Sequence, residues 1–452
     1  MIEEIAAERT RPPAQRLFDR VEGFLHIEAA SGIILLIAAA AALIWANSPS
    51  RHAYEALWHT PVTLGIGEFV DTESLHFWIN DGLMAIFFLL VGLEIRHELH
   101  EGALSSVRQA ALPCVAALGG VLLPASIYFT LNAHDPQLRS GWAVPTTTDI
   151  AFAVGVLALL GKRVPPKLRV LLLALAIIDD IAAIVIIALF YSSGVSIAGL
   201  GLGATGVVLA LLLQRFGIRT AWLYVIPGVV VWLGLLVAGI HPAIAGVIMG
   251  LITPVSFPKA AADPLSRART ALEELSLHRD ESSHDARTVD APLRALRDAQ
   301  IDFLPPVLRV QAALHPWVAY GVMPVFAFAN AGVTLSGLEL GNAGLARLSI
   351  GVIAGLVVGK PLGIVLATAG SVAIGLCRLP DGVGRGAIFV MGCLGGIGFT
   401  MAIFVGNLAF EDPAMLATAK FAVLLASVLA ASIGLIAGRV LLPARSLSTP
   451  TN

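Results

Sequence analysis

The sequence is short of charge. Only 13% of its 452 residues are Asp, Glu, Lys or Arg, against about 25% in soluble globular proteins. Half that share cannot cover the water-facing surface of so long a chain, which excludes a soluble enzyme. The net charge of −2 leaves no basic excess, so a nucleic-acid partner is excluded as well. Cysteine is scarce. Cys114, Cys377 and Cys393 are odd in number, lie in or beside apolar stretches and lack ligand spacing, which excludes a disulfide scaffold and argues against structural zinc. The N-terminal stretch MIEEIAAERTRPPAQRLFDRVEGFLHIE has no apolar run followed by a small-residue cleavage site. The first span is therefore expected to direct its own insertion. Nothing calls for a cofactor.

What the sequence has instead is apolar length. With 57% apolar residues and 44 glycines, it reads as an all-α polytopic membrane protein. Apolar runs predict twelve transmembrane helices, near 29–47, 77–99, 111–131, 143–160, 168–191, 196–214, 220–238, 240–254, 316–335, 348–375, 386–409 and 416–441, each to be matched against about 20 residues per crossing. The expected organisation is an N-terminal tail 1–28, a membrane domain 29–442 and a C-terminal tail 443–452. One long loop, 255–314, carries eight basic and nine acidic residues and is expected to be a solvated, partly helical linker.

Basic residues in the loops set the orientation. Connections after even-numbered spans hold Arg96, Arg108, Lys162, Arg163, Lys167, Arg169, Arg215, Arg219, Arg378 and Arg385. The odd-numbered ones offer only Arg51, Arg139, Arg347 and Lys420. Ten against four places both termini and the long loop in the cytoplasm. Trp45, Trp78, Trp142, Trp222 and Trp317 fall near span ends, as an interfacial aromatic belt requires; Trp232 does not.

Four charges fall where lipid should forbid them. An Asp or Lys at a helix centre costs about 2.5–3.5 kcal/mol on the mildest scale, so such residues face a partner or a cavity and mark function. The fourth span, GWAVPTTTDIAFAVGVLALLG, carries Pro145, three threonines and Asp149. The proline removes a backbone donor and the threonines can bond the freed carbonyls, so an interruption is expected there. The fifth span holds Asp179 and Asp180 in an otherwise unbroken apolar run. Adjacent residues lie about 100° apart on a helix, so the two carboxylates face different ways and have different tasks. The tenth span carries Lys360 before Pro361, and the eleventh has glycines at 392, 395, 396 and 398, a composition that weakens a helix. Those glycines suit a second interruption, or simple helix packing.

Spans four and eleven are seven apart, which would make spans 3–5 and 10–12 repeats of inverted topology. Paired interrupted helices in inverted repeats point to a transport site at the midplane. Four half-helix ends would then meet, positive at N-termini and negative at C-termini, and Asp149 and Lys360 are suited to offset them.

The strings NDGLMAIFFLLVGLEIRHEL (80–99), TTTDIAFAVGVLALLG (146–161), ALAIIDDIAAIVIIALFY (174–191), LHPWVAYGVMPVFAFANAGV (314–333), AGLVVGKPLGI (354–364) and GGIGFTMAIFVGNLAF (395–410) resemble the NhaA-type bacterial Na⁺/H⁺ antiporters, from about Glu28 to Arg439. The inverted-repeat expectation is not independent of this resemblance, because the same family is among those in which that pattern is known. The resemblance implies an inner-membrane protein that exchanges more than one H⁺ for each Na⁺ or Li⁺ expelled, for sodium and pH homeostasis. It implies that Asp179 and Asp180 together form the Na⁺ and proton site, with Asp180 the main Na⁺ ligand and Asp179 a gate or proton carrier paired with Lys360. Thr148 and Asp149 would sit at the crossing of the broken fourth helix. It also implies a homodimer formed through an extracytoplasmic hairpin in 48–75.

Glu94, His97, Glu98 and His315 fall in the region that the resemblance links to pH sensing. Glu94 and Glu98, four apart, share a helix face. His97 stands where an arginine is expected and Gln311 where an acid is; histidine is the side chain best suited to charge change near neutral pH. The alternative for these four is ordinary interfacial charge. Among other classes, an intramembrane aspartyl protease places one aspartate on each of two helices with a Gly-x-Gly-Asp signature; here the pair is adjacent on one helix and that signature is absent. A haem or quinone carrier needs paired histidines inside spans, whereas His241, His315 and the others fall at ends or in loops. The nearer alternatives are a K⁺ exchanger or a Na⁺-coupled symporter of the same fold.

Overall fold

The structure is a computed structural model that describes residues 13–66, 69–102, 104–192, 194–218, 220–255, 264–277, 290–296, 305–335 and 342–442. Nearly all of this is helix. In chain order the helices are α1 (Pro13–Ala46), α2 (Arg51–Trp58), α3 (Leu75–His100), α4 (Val107–Leu131), α5 (Pro136–Thr146), α6 (Ile150–Ala158), α7 (Pro166–Phe190), α8 (Ile197–Arg215), α9 (Ala221–Ala238), α10 (Ile244–Ile252), α11 (Pro264–Leu277), α12 (Pro306–Asn330), α13 (Ala343–Ala373), α14 (Arg385–Gly395), α15 (Phe399–Ala409) and α16 (Pro413–Leu441). Strands β1 (Pro61–Ile66) and β2 (Phe69–Ser74) form an antiparallel hairpin, inside the segment expected to hold one.

Among the described residues, eight helices are long and apolar enough to cross a membrane, and eleven crossings result if each of three bent pairs is one span. The difference from the expected twelve lies at the eighth. Residues 240–254 yield only α10, nine residues long, or about 14 Å of helix at 1.5 Å per residue. That is half of a hydrocarbon core of about 30 Å. Helix α10 is held by close approach to α3, where a Cβ at Gly246 would collide with the Ala85 carbonyl and one at Gly250 with the Gly92 backbone. Two boundaries also move. Helix α1 starts at Pro13 within the expected tail, and α12 starts at Pro306, inside the expected loop. The described part of that loop is partly helical, as expected, but its remainder and the extreme tails lie outside the described residues.

Large aliphatic side chains are exposed on the long helices, among them Ile37, Ile44, Leu122, Leu189 and Ile436. A soluble monomer rarely carries such surface; lipid is the solvent that suits it. The two expected interruptions are present. Helices α5 and α6 meet at 44° across 147–149, and α14 and α15 at 45° across 396–398. At the first break, Thr146 and Thr147 hydroxyls donate to the Ala143 and Val144 carbonyls, taking up acceptors that Pro145 and the break leave free. At the second, a Cβ at Gly396 would strike the Leu356 carbonyl, so only glycine lets the chain pass α13 that closely.

Trp232 finds its reason here. It stacks on Trp78 and donates to the Asp81 carbonyl at 3.0 Å, tying α9 to α3. Lys420 is not in a loop. It lies half-buried within α16.

Candidate functional site

The two breaks lie against each other. The Asp149 amide donates to the Ile397 carbonyl at 2.7 Å, so one interruption satisfies the other. Asp149 is also the N-cap of α6, accepting from the Phe152 amide at 3.0 Å. Its second oxygen accepts from the Thr400 amide at 3.1 Å and from the Thr400 hydroxyl. One carboxylate therefore serves the positive ends of both α6 and α15. The first amide of α15, Phe399, donates to Ser427 Oγ at 3.1 Å.

The negative ends are met in the same way. Lys360 Nζ donates to the Thr146 carbonyl at the end of α5. The Thr148 hydroxyl lies 2.9 Å from the Gly395 carbonyl at the end of α14 and 2.6 Å from Asp179 Oδ2. A hydroxyl has one proton, so it serves one of these acceptors at a time.

On α7 the aspartates diverge, as their helical spacing demands. Asp179 Oδ2 pairs with Lys360 Nζ at 2.8 Å, both side chains fully buried, while Asp179 Oδ1 has no hydrogen-bond partner. Asp180 opens instead onto a cavity of about 60 Å³, lined by Asp149 and Leu173, by Glu94 of α3, and by His315 and Val318 of α12. That is room for a few waters. Helix α13 reaches Asp179 because it packs on α4 through facing glycines; a Cβ on Gly119 would collide with the Gly363 carbonyl, and one on Gly363 with the Gly119 carbonyl.

The structure thus brings together Thr148, Asp149, Asp179, Asp180 and Lys360, and adds Glu94 and His315 to the same cavity. His97 and Glu98 do not line it. The Glu98 carboxyl folds over Gly102 at the helix end, and His97 Nδ1 is buried without a partner. Sequence reasoning missed Thr400, Ser427 and the Gly395 and Thr146 carbonyls. Only Thr400 carried a signal, a hydroxyl two residues beyond the GGIG run.

Two broken helices crossing at buried carboxylates, within a bundle of lipid-facing helices, define a secondary transporter. The comparisons name the family. Residues 22–437 match the family model described as Na⁺/H⁺ antiporter 1. The chain is 57% identical over 434 residues to "Na(+)/H(+) antiporter NhaA 2" of Sorangium cellulosum (95% of this chain, 92% of that one). It is 55% identical over 427 residues to "Na(+)/H(+) antiporter NhaA" of Cupriavidus necator (94% and 91%). The protein belongs to this family, which is one of transporters and not of enzymes. Among solved structures, the sodium proton antiporter MjNhaP1 from Methanocaldococcus jannaschii at pH 8 is a distant likeness, with TM-score 0.45 and 14% identity over 94% of this chain and 99% of that one.

Proposed function

We propose that the protein is an electrogenic, pH-regulated Na⁺(Li⁺)/H⁺ antiporter of the bacterial inner membrane. The observation that carries this reading is the Asp179–Asp180 pair at the helix crossing, with Asp180 open to the cavity and Asp179 tied to Lys360. A carboxylate in a narrow cavity can hold a proton or a sodium ion, not both. Exposing it alternately to the two sides couples outward Na⁺ to inward H⁺. Oxygen ligands suit a hard cation; Asp180, Asp149 and the Thr148 hydroxyl supply them. Asp179 holds Lys360 when charged and releases it when protonated, which gives the site a second proton-dependent element and a basis for unequal ion counts. Glu94 and His315 at the cavity are the pH-sensing groups this arrangement favours, with His97 and Glu98 in support.

The reading includes a full set of twelve traverses, with α10 completing the eighth, and inverted repeats that place the two broken helices in equivalent positions. It puts the termini and the 255–314 segment in the cytoplasm, on the basic residues of the even loops, and the α2 and β1–β2 segment outside, as the homodimer contact. Exchange of Asp179→Asn or Asp180→Asn is expected to abolish Na⁺-dependent proton release from inverted vesicles. Wild-type exchange in either variant refutes the site. Running the assay with Na⁺, Li⁺ and K⁺ in turn separates this antiport from a K⁺ exchanger.

A further inference from the structure

A second buried polar cluster sits at the other end of the same helices. Helix α3 carries Glu94 at the cavity and Asn80 and His76 toward its start; α12 carries His315 at the cavity and Asn330 at its end. Asn407 of α15 is seven residues past the Asp149–Thr400 contact, about 10 Å along the helix. The side chains are joined. Asn330 Nδ2 donates to Asn80 Oδ1 at 2.8 Å, and Asn80 Nδ2 lies 3.1 Å from the His76 ring. Asn330 Oδ1 accepts from Asn407 Nδ2 at 2.8 Å and Lys420 Nζ at 3.4 Å, and lies 3.2 Å from His76 Nε2. One amide thus clamps α3, α12, α15 and α16.

This is a poor device for stability alone. Asn407 Oδ1 is buried with no partner, and among the described residues no carboxylate lies within ion-pair reach of Lys420. An ammonium on neutral amides inside a span marks function rather than packing. The backbone agrees. Among the described residues, three π-helical stretches interrupt long helices, a feature that gathers at functional sites. Val318–Val322 adjoins the cavity, Gly355–Gly359 precedes Lys360, and the third, Trp78–Leu83, carries Asn80.

We propose that this cluster is the outer gate of the ion route, with Lys420 as its tethered stopper. Amide oxygens are ligands that Na⁺ accepts, and the Lys420 ammonium occupies the Asn330 oxygen with the same unit charge. A sodium ion arriving from outside meets both a filled ligand and a like charge. A sodium ion leaving passes when Lys420 swings off, and the amide oxygens of Asn330, Asn80 and Asn407 then carry it outward. The inference rests on the exchange reading above.

Na⁺ titrations on right-side-out and inverted vesicles test it. In Lys420→Gln the ratio of outer to cytoplasmic half-saturation concentrations is expected to fall about tenfold, the equivalent of about 1.4 kcal/mol. A folded variant whose ratio stays within about twofold of wild type overturns the gate. If Lys420→Gln does not fold, Asn330→Asp decides: it gives Lys420 a fixed counter-charge and should slow exchange about tenfold from both faces at saturating Na⁺. Wild-type turnover in Asn330→Asp overturns the gate. Where both variants fold, the double variant should recover speed, and its failure to do so counts against the stopper. Wild-type vesicles silent to Na⁺ overturn the exchange reading and the gate with it; normal exchange with unchanged sidedness overturns the gate alone.

Discussion

At the scale of the residue, one pair is exposed to the largest penalty. Lys360 and Asp179 are both removed from solvent, and breaking such a pair leaves an uncompensated buried charge. Lys360→Ala should therefore destabilise the protein by about 3–5 kcal/mol, seen as a lowered Tm in detergent. Lys360→Ala with Asp179→Asn should restore much of it, because neither charge is then stranded. A double variant no more stable than the single one shows that Lys360 acts through the Thr146 carbonyl instead. The charged members of the site were legible in the sequence for one physical reason: lipid makes charge so costly that Asp149, Asp179, Asp180 and Lys360 stand out against 57% apolar residues. The neutral groups were not. Thr400, Ser427, Asn330 and Asn407 cost little inside a span, and their importance lies in which carboxylate, helix end or amide they meet.

At the scale of the element, glycine governs where helices can touch. The Gly119–Gly363 contact lets α13 lie on α4 and carries Lys360 to Asp179. Gly363→Leu should push α13 outward and weaken that pair. Exchange is expected to fall at least about tenfold, with a smaller loss in Gly363→Ala, both measured in inverted vesicles against expression and folding controls. Full activity in Gly363→Leu means that α13 does not need this approach. Composition made the breaks in spans four and eleven readable, since Pro145, three threonines and four clustered glycines each act locally. It left the length of α10 less plain. The mostly apolar run 240–254 looks like a short span, and the helix within it is nine residues long because the chain turns at His241–Pro242 and leaves helical geometry at Thr253, the residue before Pro254.

At the scale of the whole molecule, the only strands among the described residues form the β1–β2 hairpin beside α2. An aromatic cluster fastens α2: Tyr54 and Trp58 pack on Phe328, and the Tyr54 hydroxyl donates to the Phe328 carbonyl at 2.7 Å. The hairpin is thereby fixed to the end of α12 that carries Asn330. Deleting residues 61–74 should convert a dimer to a monomer by light scattering in detergent, with Na⁺ exchange persisting because the crossing lies elsewhere. An unchanged mass refutes the proposed dimer contact.

The doubly shared carboxylate of Asp149 has a mechanical consequence. Pulling α6 away from α15 would strip a counter-charge from two helix ends at once and break the Asp149–Ile397 bond as well. The two half-helices are riveted, and a motion that opens one side of the protein and closes the other must carry both together. A transport cycle in this fold is therefore expected to move α6 and α15 as one unit, whichever helices they move against.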